Sequence, residues 1–469
     1  MVMAGHDNSG ETLSSGGVNI KSLAVDSLTV ADIPDERLDD MVLRILTVYY
    51  GFRQDSDFPD HTFNAWIDRP KNVYKYSYEF QESRKLTRDI GAASVILLKN
   101  DARLLPLDPK IKIGVVGEDA RRPTILNDEG TWDGTLAQGL GSGSCEFPYI
   151  IAPIDGIRKR VEVSRGGFVL EYTKNNDLNS GKTVAEKVDV VIVFANAQSG
   201  EGWDRGDLKL NKGGNELVSF LAQFDILPFK KNPHLKFKIE AVASINKNTI
   251  VVIHTVGQIE MPWINHPNIS AVLFPLMPGQ ETGNSLADVL FGDVNPSGRL
   301  PFTIYRNQQD YAAQVVTSSP DKIPQVNYNE GLYFDYRHVD KYNIKPLFPF
   351  GHGLSYTSFE YANLKITTEL AGSVKVSVDI KNIGNYNGHE VVQLYVQFPE
   401  TAEEPPKLLK GFDRVFIVKG STVKVLLHVE KRDLRVWLHG GWKWVAGTYG
   451  FVVGASSKDL RLEESIVLF

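Results

Sequence analysis

The triplet Gly200-Glu201-Gly202, followed by Trp203 and the pair Asp204-Arg205, is where this sequence offers chemistry. The glycines let the backbone turn sharply, so that Glu201 can project into a cleft. Trp203 then supplies an apolar face for a sugar ring. The plain alternative is a polar loop carrying a solvated Glu. What favours a site is the run before it, Val188-Asp189-Val190-Val191-Ile192-Val193-Phe194. Such an apolar, β-branched run reads as a strand buried on both faces, typical of a parallel sheet. In open α/β sheets, ligands sit in the crevice outside the carboxyl ends of the strands.

Other candidate chemistry is weaker. Gly139-Leu140-Gly141-Ser142-Gly143-Ser144 resembles a dinucleotide fingerprint, but Ser144 stands where the third glycine belongs. The loop also follows an irregular region instead of a strand. Gly141-Ser142-Gly143 lacks the longer nucleophile-elbow pattern of a serine hydrolase. No His/Cys/Asp cluster has metal-ligand spacing. His254 ends an apolar run and reads as a core histidine with its hydrogen bonds satisfied.

The elements that must position these residues follow from periodicity. The chain has 469 residues, enough for two or three domains. A helix from about Asp35 is capped by Asp32 or Asp35 and has Pro34 at its start. Its apolar positions run from Leu38 to Phe52 at three- and four-residue spacing, and it ends at Gly51. Residues 20–28 read as a shorter helix before it. A helix is expected near residues 83–98, then buried strands near 111–120, 188–197, 248–257 and 269–279. Helices starting at Pro153 and within GNSLADVLFG alternate with these strands, which argues for a doubly wound α/β domain. From Phe359 the period becomes two: Val374, Val376, Val378 and Ile380 alternate, as do Val423, Val425, Leu427 and Val429. This is an antiparallel β-sandwich, able to bury its own core and expected to fold alone.

Composition narrows the function. A net charge of -6 gives no reason to expect nucleic-acid or anionic-membrane binding. No stretch of about 20 apolar residues suggests a membrane span. The single cysteine, Cys145, leaves no internal disulfide. The first 17 residues have neither a basic start nor an apolar core, so they do not read as a signal peptide. Asn268-Ile269-Ser270 is an N-glycosylation sequon, weakly favouring secretion.

Several motifs, taken in order, resemble the C-terminal part of glycoside hydrolase family 3, close to the fungal β-glucosidases. They include GAASVILLKNDARLLPL, IGVVGEDA, GTLAQGLGSGSCEFPYIIAP, FANAQSGEGWDR, TIVVIHTVG, PGQETGNSLADVLFGDVNPSGRLPFT, EGLYFDYRH and FPFGHGLSYTSFEY. The resemblance implies an α/β sandwich over residues 92–303 and a fibronectin type III-like (immunoglobulin-like) sandwich over 359–469. Residues 1–60 would be the helical remnant of a TIM barrel, with linkers at 61–91 and 304–358. It further implies removal of terminal β-D-glucosyl units from β-glucosides or cello-oligosaccharides without a cofactor or metal. Glu201 matches the general acid/base, while Trp203 and Ser142 match residues near the glucose subsite. Secretion is the family habit; oligomeric state is open, a dimer being one option.

The sequence departs from the family in two places. Retaining hydrolysis needs two carboxyl groups about 5 Å apart. The family's nucleophilic Asp stands in a Ser-Asp-Trp-type motif near the end of the barrel, and no such motif occurs here. The sequence is thus expected to be a fragment holding the acid/base without its partner; a non-catalytic, sugar-binding or structural remnant is the rival reading. Residues 218–238 also have no counterpart in the family pattern. Val218-Ser219 can be encoded by GTAAGT and the closing Phe-Lys by codons ending AAG, the ends of a short intron, so this segment is expected to be foreign to the fold.

Overall fold

The computed structural model describes residues 35–56, 81–123, 133–141, 144, 147–164, 170–172, 177–201, 205–211, 245–314, 316, 325–369 and 372–468. The suspected foreign segment, 218–238, and the short helix expected at 20–28 lie outside these residues. The chain divides into two units, residues 1–76 and 77–469. In the first, helix α1 spans Asp35–Gly51, as the period predicts, while Asp32 and Pro34 of the expected cap lie outside the described residues. Its apolar side chains Leu43, Val48 and Tyr50 are exposed.

The second unit begins with α2 (Gln81–Ser94), which stops earlier than the helical period suggests. Val95 to Leu98 are apolar and partly β-branched, and Ile96–Asn100 instead forms strand β1, antiparallel to a later strand. β2 (Ile113–Val116), β4 (Val190–Ala197), β5 (Thr249–Thr255) and β6 (Ile269–Phe274) are the expected buried strands. β3 (Leu170–Tyr172) and the helix α4 (Leu178–Ala185) were not signalled by the pattern. Together they form a six-stranded sheet in the order β1-β6-β5-β4-β2-β3, parallel except at β1.

Both faces of this sheet are buried, which explains the unbroken apolar runs. Val190, Ile192 and Phe194 face one core, with Ile154 and Ile157 of α3 (Pro153–Val163) and Leu286 and Leu290 of α5 (Thr282–Leu290). Val191, Val193 and Ala195 face the other, against α4 and Trp263. Helices α3 and α5 touch through glycine: a Cβ on Gly156 would lie 2.1 Å from the Gly283 carbonyl oxygen. Only hydrogen at that position permits the approach.

The segment expected as an extended linker is built into this unit. It carries helix α6 (Tyr336–Lys341). Ile304 and Phe348 exchange backbone hydrogen bonds, and the Leu354 amide donates to Leu97 at the sheet edge.

The β-sandwich follows. β7 (Phe359–Thr368), β8 (Val374–Asn382) and β11 (Thr422–Val429) make one sheet. β9 (Gly388–Gln397), β10 (Leu408–Ile417), β14 (Gly447–Gly454) and β15 (Leu460–Leu468) make the other. β12 (Val436–Leu438) and β13 (Gly441–Lys443) form a separate hairpin. The alternating residues of β8 and β11 point inward, as period two requires. The sandwich is also tied to the α/β domain: Tyr395 and Val452 pack on Tyr336 and Phe350, and Arg299 pairs with Glu390 at 2.9 Å.

Candidate functional site

Strand β4 is buried to its last residue and delivers the chain to Gln198 at the carboxyl edge of the sheet. There the polar residues are held one by one. The Gln198 amide donates to Asn211 Oδ1. Gly200 forms a parallel bridge with Leu140, and the Glu201 amide donates to the Leu140 carbonyl at 3.2 Å. The Gly/Ser loop that looked like a broken nucleotide motif is therefore a rail for the Glu201 loop. Gly141 runs directly beside Glu201, with φ at +135°. Its neighbour in the loop, Ser144, accepts from the Gly141 amide at 3.0 Å and donates to the Gly139 carbonyl at 3.1 Å. Serine in the slot of the third glycine thus ties its hydroxyl to residues 139 and 141. The Glu201 side chain itself is exposed, so solvent or a ligand can reach it.

Beneath this loop lies a buried polar network that the sequence reading did not assemble. Asn196 and His254 are register partners in the parallel pair β4–β5, so their side chains share a face. Both reach Asp119, from the turn after β2: His254 Nδ1 at 2.5 Å and Asn196 Nδ2 at 3.0 Å. Asp119 also accepts from the Leu136 amide at 2.9 Å, fixing the start of the Gly/Ser loop. His254 Nε2 lies 3.1 Å from Thr282 Oγ1, so both ring nitrogens are engaged. Burial pushes the Asp119 carboxyl up, and the His254 partner pulls it back. The sequence signal was there, as polar residues interrupting apolar strands, but only the register shows that they meet.

Past Glu201, Arg205 turns inward. Its Nη1 donates to the Gln258 carbonyl at 3.0 Å, and burial lowers its pKa against the pull of Asp207. Ser142 and Trp203, the other two expected site residues, lie outside the described residues. Among the described residues, no group of three His, Cys, Asp or Glu is placed to hold a metal. No helix among them is long and apolar enough to cross a membrane.

This arrangement has clear relatives. A family model for the glycosyl hydrolase family 3 C-terminal domain matches residues 95–356, and one for a fibronectin type III-like domain matches 390–457. The chain is 36% identical over 503 aligned residues to probable beta-glucosidase L of Aspergillus terreus, covering 100% of this chain and 64% of that protein. It is 38% identical to probable beta-glucosidase L of Emericella nidulans, covering 93% of this chain and 60% of that one. Among solved structures, the beta-D-glucoside glucohydrolase of Trichoderma reesei is 35% identical with a TM-score of 0.79, covering 96% of this chain and 62% of that one. Beta-glucosidase D2-BGL of Chaetomella raphigera superposes with a TM-score of 0.83 at 31% identity, covering 98% and 65%. The chain thus spans less than two thirds of the length of each of these four. With more than half of its residues inside the family 3 C-terminal model, the chain belongs to glycoside hydrolase family 3.

Proposed function

We propose that this chain supplies the acid/base half of a β-glucosidase, an enzyme that removes terminal β-D-glucosyl residues with retention of configuration. The observation that carries this reading is the placement of Glu201. It is an exposed carboxyl at the carboxyl end of a central parallel strand, pinned by the Leu140–Gly141 rail. In the first step Glu201 protonates the glycosidic oxygen as a carboxylate attacks the anomeric carbon. In the second step Glu201, now ionised, takes a proton from the water that hydrolyses the glycosyl-enzyme. Ser142 and Trp203 would contact the glucosyl unit. Chain connectivity supports this, since each is one or two residues from the Gly141–Glu201 contact and a residue spans at most about 3.6 Å. Cello-oligosaccharides are the natural substrate class, and secretion suits it.

The attacking carboxylate would come from a barrel carrying the Ser-Asp-Trp-type motif, which this sequence does not contain. The test is release of nitrophenol from nitrophenyl β-D-glucoside. The 469-residue chain alone should show no turnover, because the double-displacement route needs the covalent nucleophile. Joined to the barrel of a family 3 relative, it should hydrolyse the glucoside. Glu201→Ala should then lose turnover, and azide should restore release as β-glucosyl azide, since an anionic nucleophile needs no general base. A chimera whose activity survives Glu201→Ala contradicts the assignment. A folded chimera with no activity favours the non-catalytic remnant.

A further inference from the structure

A cleft of about 590 Å³ opens where the segment after the α/β sheet meets the sandwich, lined by residues of both, Tyr305 and Leu409 among them. Its volume falls in the range of roughly 300–1,000 Å³ typical of small-molecule sites. Glu201 is not among the residues that line it. Its walls are aromatic, chiefly Tyr305, Tyr311 and Phe334, and its polar groups are Gln258, Glu330 and Arg337.

The frame of this cleft is fixed in advance. Asp335, one of its lining residues, adopts φ 51° and ψ -130°, a conformation that non-glycine residues avoid. Hydrogen bonds hold it there: its carboxylate accepts from the Thr303 amide at 2.7 Å, the Thr303 hydroxyl at 2.8 Å and the Tyr336 amide at 2.6 Å. The Tyr305 hydroxyl donates to the Asp335 carbonyl at 3.0 Å. Asp335 is therefore spent on architecture. Its strained turn sets Phe334 and Arg337 side by side, with the guanidinium 4.6 Å from the ring centroid. Arg337 Nε is buried and has no hydrogen-bond acceptor among the described residues.

The chemistry selects the occupant. An anion would want more than one cation, and Glu330 would oppose it. A purely apolar ligand would strand Arg337 and Glu330 without water. A neutral ring bearing many hydroxyls satisfies both, stacking on the aromatic walls while its oxygens accept from Arg337 and its hydroxyls donate to Glu330. We infer that this cleft is a second sugar-binding site, separate from the Glu201 loop, that takes a neutral pyranoside of one or two rings. The choice of a glucoside within that class rests on the β-glucosidase reading.

The experiment is calorimetric titration of cellobiose into the 469-residue chain and its variants Arg337→Gln and Phe334→Leu. The chain should bind saturably. Arg337→Gln should weaken binding about tenfold, the scale of one hydrogen bond to a charged group. Phe334→Leu should also weaken it. Phe334 is 49% exposed, so its variant will fold and decides the matter if Arg337→Gln does not. Absence of saturable binding overturns the proposal. So does binding that both cleft variants leave intact. The two readings fail separately: glucoside turnover by the barrel-joined form judges Glu201, and cellobiose binding that depends on Arg337 judges the cleft.

Discussion

Gly141 and Glu201 are in contact so close that a Cβ on Gly141 would lie 2.6 Å from the Glu201 Cβ and 2.9 Å from its Oε2. The same glycine has φ at +135°, where L-residues are strained. Glu201 is therefore aimed by a missing side chain. Gly141→Ala should push the carboxyl off its position, and a misplacement near 1 Å can cost about 100-fold in rate. In a barrel-joined chimera, kcat/KM for nitrophenyl β-D-glucoside should fall by about that factor. The thermal midpoint should drop only as far as a local strain of about 1–3 kcal/mol requires. Unchanged kinetics in Gly141→Ala would show that the contact does not aim Glu201.

The Asp119–His254 pair beneath the loop makes a different prediction, about stability. Both side chains are buried, and Asp119 also holds Asn196 and the Leu136 amide. Asp119→Ala strands these partners at once. Leaving a buried hydrogen-bonding group unsatisfied costs about 1–3 kcal/mol for each group stranded. Urea unfolding followed by tryptophan fluorescence should show a loss of that order. Because the Leu136 bond fixes the start of the Gly/Ser loop, hydrogen exchange of amides 135–141 should also rise. A variant as stable as the parent would mean that water replaces the carboxylate.

How much of this was legible beforehand depends on the distance between partners in sequence. The strand Val190–Ala197 and the alternation of Val374 to Ile380 are local patterns, and periodicity finds them. Strand Ile96–Asn100 was absorbed into a helix, because four apolar residues after a helical run fit either period. Its state is decided by pairing with Ile269–Phe274, far along the chain. Glu201 was conspicuous between its glycines. The role of Gly141 was not, because it depends on a bridge between Leu140 and Gly200. Asn196 and His254 were visible singly as polar breaks in apolar strands and Asp119 as a carboxylate in a turn, and only the sheet register and that turn bring them together.

Acid should weaken the sandwich. His389, packed beside the Phe416 ring at 5.0 Å, has its pKa lowered to about 4 by burial and then by the Arg414 charge. In the unfolded chain an imidazole protonates near pH 6.5. Between about pH 6.5 and pH 4 the unfolded state therefore binds more protons, and stability falls as pH falls. His389 contributes fully above that window and loses its contribution as pH drops through about 4. Asp335 and Glu404 are shifted upward by burial and act in the opposite sense, so the readout is the difference between parent and His389→Gln. Unfolding free energy measured from pH 7 to pH 4 should fall more steeply in the parent. Parallel curves would remove His389 from the account.

The last prediction concerns the seam between the two domains. Arg299 and Glu390 are nearly sealed from solvent, and their side chains meet at 2.9 Å. The second Glu390 oxygen accepts from the Tyr361 hydroxyl at 2.6 Å, which burial pushes far above an ordinary phenol. Arg299 spends Nη1 on the Gly298 carbonyl, and its Nε has no partner among the described residues. The pair therefore sits in a site that tolerates no unmatched charge. Glu390→Ala leaves the guanidinium buried alone, a loss of about 3–5 kcal/mol. Arg299→Met with Glu390→Leu removes both charges and should recover much of it, since apolar replacements of buried pairs are often neutral or better. An isolated sandwich, 359–469, would carry Glu390 without Arg299 and open Tyr395 and Val452 to water. It should fold through its own alternating core, yet unfold at lower urea than the same sandwich within the full chain. Adding Glu390→Leu to the isolated domain should raise its midpoint. A midpoint that falls instead would show that Glu390 is satisfied within the sandwich by Tyr361, and that the seam holds through packing.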